Sequence, residues 1–557
     1  MYQPPGKRSV GTVALMFTGL GSIVGSGWLF GAWRAAQIAG PAAIFAWVIG
    51  ALVITVIALT YIELGAMFPE SGGMVRYARY SHGSLVGFIS AWANWISIVA
   101  VIPIEAIASV QYMASWPFPW TRALYTHGEL TAPGLGLSAM LILVYFALNY
   151  WGVKVFIRCN GAITVFKILV PAMTVGALVW GGLHAENFAS GGASAFAPHG
   201  WAAVFTAVAT SGIVFSFNGF QSPLSLAGEA KHPTRSLPIA VIGAILIALI
   251  LYISLQVAFI GAVEPKSIAG GWQVLNFTSP FAQLALALNL NWLVMLLYVD
   301  AFVSPSGTGA IYTATTARMI QAMERNNTMP KLFGRTHALY DVPRPAMWFN
   351  LAVSFLFLYV FRGWGALAAV ISVATVISYL SGPVSLMSLR KHAPDITRPL
   401  RLRAMGGIAP FAFVCASLVL YWARWPLTGE LVLLMFAAMP CYLYYQFKDG
   451  WFDFRSELRS AWWMILYMPT MAVLSFCGSA AYGGQGYLDG GWDFVAVAVI
   501  GLVFYGWGVR SGRRTRYLTE SPASLPAVVE VDPCDEVASH ESCKLGLVRA
   551  HASTVAS

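Results

Sequence analysis

Charge is scarce in this 557-residue chain, in which Asp, Glu, Lys and Arg make up only 10% of the residues. A soluble domain carries roughly 25% charged residues, so this chain has too few to cover a water-facing surface of its size. Hydrophobic residues make up 58% of it, and the mean hydropathy is +0.68. Apolar runs such as residues 42–62 reach the about 20 residues that a membrane-spanning helix needs. The composition therefore excludes a soluble protein and indicates a membrane protein.

Motifs for metal binding and catalysis are also missing. The six cysteines are scattered without CxxC spacing, which argues against a zinc or thiol-redox site. The sequence holds no HExxH, no GxSxG, no phosphate-binding P-loop and no histidine pair at metal spacing. No loop is long enough to form a soluble sensing module. We therefore predict no metal and no cofactor, and a membrane-embedded enzyme or receptor is the alternative from another class.

The chain divides into apolar segments separated by turn-forming loops, and the first of these segments is predicted to be a retained helix rather than a cleaved leader. The fourteen candidate spans are residues 12–33, 40–67, 84–113, 134–152, 160–181, 200–221, 237–262, 280–317, 346–361, 364–389, 406–424, 429–447, 461–480 and 492–509. The sequence after residue 510 is predicted to be a disordered cytoplasmic tail.

Basic residues predict the orientation of these spans. With the N-terminus inside and fourteen crossings, 27 of the 33 Lys and Arg residues fall on the inner side. Basic residues resist translocation, so this bias predicts a multi-pass protein of the cytoplasmic (inner) membrane with both termini in the cytoplasm. The net charge of +10 is thus explained by topology, and no nucleic-acid partner is predicted. The five basic residues on the outer side are Arg34, Arg122, Lys266, Arg362 and Arg424.

Two of the spans are predicted to be interrupted. The first contains GLGSIVGSGW (19–28), and the sixth contains GIVFSFNGFQSP (212–223). Glycine costs about 1 kcal/mol relative to alanine inside a helix, so such clusters indicate either close helix packing or a break. The breaks lie five helices apart, and repeats of five helices have opposite orientations in the membrane. Unwound main chain at such a place can hold a carboxylate on its N–H groups and an ammonium on its carbonyl groups, which are the two charges of a free amino acid.

Several motifs resemble those of the amino acid–polyamine–organocation transporter superfamily. They are GSIVGSGWLFG (21–31), ELGAMFPESGGMVRYARY (63–80), GEAKHPTRSLPIA (228–240) and ARMIQAMERNNTMPKLFG (317–334). The resemblance covers roughly residues 10–450 and implies a secondary transporter that works by alternating access.

The same resemblance implies an all-α membrane fold with a LeuT-like core of two inverted repeats of five helices. Its expected divisions are an N-terminus at 1–11, a transport core at 12–390 (repeats 12–181 and 200–390), helices eleven and twelve at 404–447, helices thirteen and fourteen at 461–509, and the tail at 510–557. Helices thirteen and fourteen exceed the usual twelve of that superfamily.

The resemblance further implies two groups of substrate-binding residues. Val24, Gly25, Ser26 and Gly27 would hold the substrate carboxylate through main-chain N–H groups and the Ser26 hydroxyl. The second group would face the amine and the side chain, with Phe215 where many members of the superfamily carry an aromatic gate. Its residues are Phe215, Ser216, Phe217, Asn218 and Gly219.

Charged residues inside predicted spans are candidates for coupling transport to protons, because a charge at the bilayer centre is costly and therefore usually functional. Lys167 matches a lysine of proton-coupled members of the superfamily. The alternative roles for Lys167 are a permanently charged strut and a side chain that reaches out to the membrane surface. Glu105 and Asp300 are each a proton site or a binder of substrate amines, and a Pro–Gly interruption is expected after Asp300. Glu63 is expected to be structural.

The sequence thus predicts an amino acid importer that works by proton symport, with an amino acid exchanger and an amine or polyamine transporter as alternatives. Its general pattern resembles the bacterial aspartate and glutamate proton symporters. Arg34 either attracts an acidic substrate or anchors the interface beside Trp28 and Trp33. Gln221 stands where some exchangers have an acidic residue, so the proton-transfer role of that residue does not carry over directly to this chain.

Overall fold

The computed structural model describes residues 9–69, 73–151, 154–189, 196–337, 340, 342–448, 450–451 and 453–519. Helices dominate these residues, and the described strands form a single short antiparallel pair, Tyr125–Thr126 with Glu129–Leu130. The all-α membrane fold predicted from the sequence is confirmed.

The α-helices, numbered here along the chain, are α1 Thr12–Ile23, α2 Gly27–Ala39, α3 Ala43–Met67, α4 Met74–His82, α5 Ser84–Val99, α6 Val101–Met113, α7 Ala132–Tyr150, α8 Lys154–Gly181, α9 Glu186–Ala189, α10 Gly200–Thr210, α11 Ile213–Ser216, α12 Ser222–Ser225, α13 Pro233–Ala262, α14 Pro280–Ala287, α15 Asn291–Arg325, α16 Arg344–Val360, α17 Trp364–Tyr379, α18 Ser381–His392, α19 Met405–Trp422, α20 Leu427–Phe436, α21 Met439–Lys448, α22 Phe454–Cys477, α23 Trp492–Ser511 and α24 Arg516–Thr519. Single turns of 3₁₀ helix lie at Gly40–Ala42, Pro119–Ala123, Ala227–Glu229, Pro265–Ile268, Trp272–Val274, Lys331–Gly334 and Ala480–Tyr482.

In the described part of the chain, eleven helical stretches are long and apolar enough to cross a membrane. Three shorter apolar helices, α1, α10 and α16, lie in the predicted first, sixth and ninth spans. The first and sixth spans are the two for which an interruption is predicted, so a break in the helix accounts for their short helices. The number of crossings and the division of the chain into repeats remain predictions.

The Pro–Gly interruption predicted after Asp300 is wrong, because α15 continues without a break through Pro305. A proline inside a helix leaves the carbonyl four residues earlier without its usual N–H partner. Here that carbonyl belongs to Ala301, and the Ser109 hydroxyl donates to it at 2.9 Å. The neighbouring helix α6 thus replaces the missing hydrogen bond. The break in this span lies instead before α15, where Asn289 takes a left-handed φ of 57° between α14 and α15.

The prediction of a disordered tail from residue 510 is wrong for its first part. The chain remains ordered to Thr519, and Leu518 is fully buried. The reason is a set of hydrogen bonds to α4, described below, which a composition argument does not detect. Residues 520–557 of the predicted tail lie outside the described residues.

One histidine at the junction of α4 and α5 gives a test of this packing. His82 is fully buried, its Nε2 lies 2.9 Å from the carbonyl oxygen of Gly508, and its Nδ1 lies 2.7 Å from the Ser81 hydroxyl. It lies outside the candidate spans. Burial is the main cause that lowers the pKa of His82 to about 4, and His392 and Arg513 lower it further.

We expect acid to destabilise the protein through this residue. Because the folded-state pKa lies below the unfolded value, only the unfolded state gains a proton as the pH falls from about 6.5 towards 4. The free energy of unfolding should therefore fall by about 2 kcal/mol between pH 7 and pH 5. Thermal unfolding in detergent measures this, and His82→Gln should remove much of the dependence whereas His127→Gln at an exposed loop should not. An unchanged pH profile in the His82 variant would contradict the assignment.

Candidate functional site

The first interruption is present where the glycine cluster predicts it. Helix α1 ends at Ile23, α2 begins at Gly27, and the three residues between them are not helical. The Ser26 N–H has no acceptor in its own helix and instead donates to the Glu105 carboxylate, at 2.9 Å from Oε2. Two carbonyl groups just before the break also accept from other helices. Gly21 accepts from Lys167 Nζ at 3.1 Å, and Ile23 accepts from the Tyr252 hydroxyl at 3.2 Å.

The second interruption lies in the predicted sixth span. Helix α10 ends at Thr210, and Gly212 adopts a left-handed conformation with φ of 90° before the single turn α11. A run of turns follows from Phe217 to Gln221, in which Gly219 has φ of 130°. Residues that have a Cβ atom rarely adopt these backbone conformations. The glycines therefore permit both departures from helical geometry.

The two interruptions cross each other in opposite directions. A Cβ atom added at Gly19 would lie 3.2 Å from Pro223, one at Gly219 would lie 2.7 Å from the main chain of Ser22, and one at Gly27 would lie 2.3 Å from the Ser216 hydroxyl. Residue numbers thus rise along one stretch as they fall along the other. Antiparallel crossing is the arrangement expected when two broken helices come from repeats of opposite orientation.

Tyr252 of α13 joins the two breaks directly. Its hydroxyl group lies 3.2 Å from the carbonyl oxygen of Ile23 and 3.1 Å from that of Ser216. A hydroxyl has one hydrogen, so the two carbonyls share it. Carbonyl groups without a partner are expensive when buried. Tyr252 contacts one from each break, and the Ile23 carbonyl also accepts from the Gly25 N–H at 3.1 Å.

Three charged side chains meet beside the first break. Lys167 Nζ donates to the Gly21 carbonyl and, at 2.6 Å, contacts the Thr308 hydroxyl, while Glu105 receives the Ser26 N–H. The Ser304 hydroxyl donates to Asp300 Oδ1 at 2.6 Å. Lys167, Glu105 and Asp300 are all buried, and the lysine interacts electrostatically with both carboxylates. Opposite charges nearby and hydrogen bonds lower the cost of burying charged groups.

The structure brings some predicted binding residues together and separates others. Ser26, Gly27 and Ser216 converge, and the Ser26 hydroxyl accepts from the Trp364 indole at 2.9 Å. Phe215 lies edge-on to the Trp364 ring, with 5.9 Å between centroids. Phe217 instead packs on the α3 and α13 side of the second break, against Trp47 and Tyr252.

The remaining predicted residues form a polar group at the second break. Asn218 Nδ2 reaches the Thr375 hydroxyl at 3.4 Å, and Asn218 Oδ1 accepts from Gln221 Nε2 at 2.7 Å. The Gln221 Oε1 atom accepts from the Tyr379 hydroxyl at 3.1 Å. At the first break, the Val24 N–H donates to the Leu20 carbonyl. The residues of both breaks are buried, so the site is closed to solvent on both sides.

Sequence reasoning missed Tyr252, Thr308 and Trp364. A signal was available for Tyr252 and Trp364, because a polar-tipped aromatic side chain inside a span usually finds a hydrogen-bond partner when buried. Tyr252 stands in an apolar run, and Trp364 stands between Gly363 and Gly365 at the start of a different span, so nothing local assigned either residue to the two breaks. Among the described residues, no three His, Cys, Asp or Glu side chains are arranged to hold a metal ion.

Comparison with known proteins also points to amino acid transport. Residues 10–433 match the family model described as amino acid permease. The glutamate/serine transporter AimA of Bacillus subtilis (strain 168) is 58% identical over 517 residues, which cover 92% of this chain and 96% of that protein. The aspartate-proton symporter of the same organism is 35% identical, over 91% of this chain and 97% of the symporter. The branched-chain amino acid permease BcaP of that organism is 26% identical, over 79% and 93%.

Proposed function

We propose, from the premise that this chain belongs to the amino acid permease family, that it imports its amino acid by proton symport. The chain is a multi-pass amino acid transporter and not an enzyme. The observation that carries the proposal of proton symport is the Glu105 carboxylate on the main-chain N–H of Ser26, beside Lys167. The cell membrane as location and the cytoplasmic position of both termini also belong to the proposal, and the distribution of basic residues supports them.

The proposed substrate site is the turn between α1 and α2 together with the second break. Within Val24 to Gly27, the N–H groups of Val24 and Gly25 already donate to the Leu20 and Ile23 carbonyls. The proposed carboxylate position is therefore the Ser26 N–H at the start of α2, where the helix dipole favours a negative group. Phe215 to Gly219 would surround the rest of the substrate. The convergence of Gly27 and Ser216 supports this pairing, because a small molecule held by one break would contact the other.

The proposed coupling follows from competition for one N–H group. A substrate carboxylate at Ser26 needs the hydrogen bond that Glu105 now receives at 2.9 Å. Two carboxylates at one site repel each other unless one of them takes up a proton. Protonation of Glu105 would therefore release the N–H for the substrate. Lys167 and Asp300, which interact with each other across the same site, would accept and return the proton during the cycle.

The proposed substrates are acidic and small hydroxyl amino acids. The names of two relatives, a glutamate/serine transporter and an aspartate-proton symporter, support this class. Arg34 supports the acidic member of it. Its guanidinium packs over the Trp33 ring at 4.7 Å and donates to Gln37 Oε1 at 2.9 Å. The packing of Arg34 against Gly365 places it next to Trp364, which bonds Ser26.

Transport into proteoliposomes without internal amino acid tests the proposal. With an imposed inward proton gradient, glutamate, aspartate or serine should accumulate above its external concentration, and an ionophore that collapses the gradient should abolish the accumulation. Uptake that ignores the gradient and requires preloaded amino acid would identify an exchanger instead. Uptake of a decarboxylated amine in place of the amino acids would overturn the carboxylate site and favour an amine transporter.

A further inference from the structure

The segment after the last long helix returns to the transport core. We call residues Gly512 to Thr519 the C-terminal strap. The strap lies against α4, which follows the second predicted span. The Arg513 N–H donates to the Ser81 carbonyl at 2.9 Å, and the Thr515 hydroxyl lies 2.8 Å from the Tyr80 carbonyl and 3.2 Å from that of Arg79. The strap and the two helices before it, α22 and α23, have no part in the proposed substrate site. Their contacts with α4 therefore need another explanation.

The strap and α22 satisfy the end of α4. The last four carbonyl groups of a helix have no partner inside it, and in α4 these belong to residues 79–82. The Arg79 carbonyl accepts from the Gly83 N–H and lies near the Thr515 hydroxyl, which also contacts the Tyr80 carbonyl. The Ser81 carbonyl accepts from the Arg513 N–H, and the His82 carbonyl accepts from the Ser460 hydroxyl of α22. The three carbonyls after Arg79 thus receive hydrogen bonds from α22 and the strap, which we call together the C-terminal extension. The extension acts as the C-cap of α4.

The same extension holds the start of α5. Glu457 of α22 accepts the Ser84 N–H at 3.0 Å and the Tyr442 hydroxyl at 2.8 Å. Arg513 of the strap makes an ion pair with Asp453 at 2.7 Å. The turn between α4 and α5 is therefore held on both sides of Gly83, which has φ of 97°.

Arg79 extends this arrangement to the far end of α15. Its guanidinium lies 3.7 Å from the centre of the Tyr517 ring of the strap and hydrogen-bonds the side chain and the carbonyl of Asn326. Asn326 directly follows α15, the helix that carries Asp300 and Thr308. One side chain thus joins the strap, α4 and a helix of the charged site.

A continuous aromatic stack connects α4 with the second break. Neighbouring ring centroids along it are 4.7–6.2 Å apart, within the range of favourable aromatic pairs. From the break to the strap, its members are Phe220, Tyr379, Tyr61, Tyr77, Phe68 and Tyr80. The stack begins one residue before Gln221 of the site and ends at the residue whose carbonyl Thr515 caps. It runs from the closed site to α4, on the side of the protein that the basic residues predict to be cytoplasmic.

We propose that the aromatic stack is the inner gate of the transporter and that the C-terminal strap is the latch that holds it closed. Because the substrate site is buried, some element on this side must move to release substrate. The stack cannot open while α4 keeps Tyr77 and Tyr80 in place, and the strap fixes the end of α4. Loosening the strap should therefore increase the population of molecules open on this side.

The test uses a buried serine of the gate as a reporter and does not depend on which substrate is carried. Ser381 is 2% exposed and its hydroxyl lies 3.4 Å from that of Tyr61, so Ser381→Cys should react slowly with a hydrophilic maleimide in detergent. Adding Thr515→Ala removes the cap of Tyr80 and should speed the reaction about five- to tenfold, since the one hydroxyl hydrogen that the Tyr80 and Arg79 carbonyls share is lost. Peptide mass spectrometry scores the reporter separately from the native cysteines.

Three further variants separate a latch from general loosening. Thr515→Ser keeps the hydroxyl and should restore slow labelling. Thr470→Ala removes an exposed hydroxyl that bonds only its own helix α22 at Leu466 and should leave the rate unchanged. A second reporter, Ser417→Cys, is fully buried in α19 and should not gain reactivity. Equal labelling of Ser381→Cys with and without Thr515→Ala, or a rise shared by Ser417→Cys, would overturn the latch while leaving the transport proposal intact.

Discussion

Replacing Lys167 with alanine is expected to lower concentrative uptake at least about a hundredfold while the protein remains folded enough to bind substrate. Lys167 is the only cation that contacts both the first break and Thr308 among the described residues. Without the lysine, the buried Glu105 and Asp300 lose the positive charge with which they interact, and leaving a buried charge uncompensated costs about 3–5 kcal/mol. The measurement is accumulation of glutamate or serine in proteoliposomes under a proton gradient, compared with binding in detergent.

A second substitution separates the proton role from a charged strut. Lys167→Arg keeps a cation that does not lose its proton. A strut would tolerate it, whereas a proton carrier would lose gradient-driven accumulation and keep exchange. The matched control is Lys266→Ala, whose side chain is 91% exposed and which should transport like the parent. Full accumulation by Lys167→Ala would remove the lysine from the coupling scheme.

The breaks in the two spans could be predicted from sequence because their cause is local. Gly25 and Gly27, and later Asn218 and Gly219, lower helix propensity within a few residues, and the pattern is visible in a single stretch of chain. The identity of the charged residues was equally accessible, since Lys167 interrupts an otherwise apolar span. The substrate roles of these residues stay predictions.

What the sequence could not reveal are the partners of the groups that the breaks expose. The Ser26 N–H meets Glu105, which is 79 residues away in sequence, and no periodic pattern encodes that meeting. The same limit explains the error at Pro305, because Ser109 replaces its missing hydrogen bond from another helix. It also explains the tail, where Thr515 caps α4 across 435 residues of chain. Local propensity predicts where a helix is weak, but tertiary contacts decide whether it breaks.

Gly219→Ala is expected to cause the largest loss of stability at the site. An added Cβ atom would lie 2.7 Å from the Ser22 carbonyl carbon and 2.8 Å from the Ile23 nitrogen, which are main-chain atoms that cannot rotate away. The φ of 130° at Gly219 adds backbone strain for any other residue. Together, strain and overpacking should cost about 2–5 kcal/mol. Thermal unfolding in detergent measures the loss, and binding of glutamate or serine should disappear as the two breaks are forced apart.

Gly176→Ala is the matched control for this substitution, because a Cβ atom there meets nothing within 4 Å. Gly176 lies inside α8, where alanine is the better helix former by about 1 kcal/mol, so this variant should be as stable as the parent or slightly more so. Gly27→Ala gives an intermediate case, since its Cβ atom would meet the Ser216 hydroxyl at 2.3 Å but the main chain only at 3.2 Å. If Gly219→Ala had the same unfolding temperature as the parent and bound substrate equally well, the close crossing of the two breaks could not be what shapes the site.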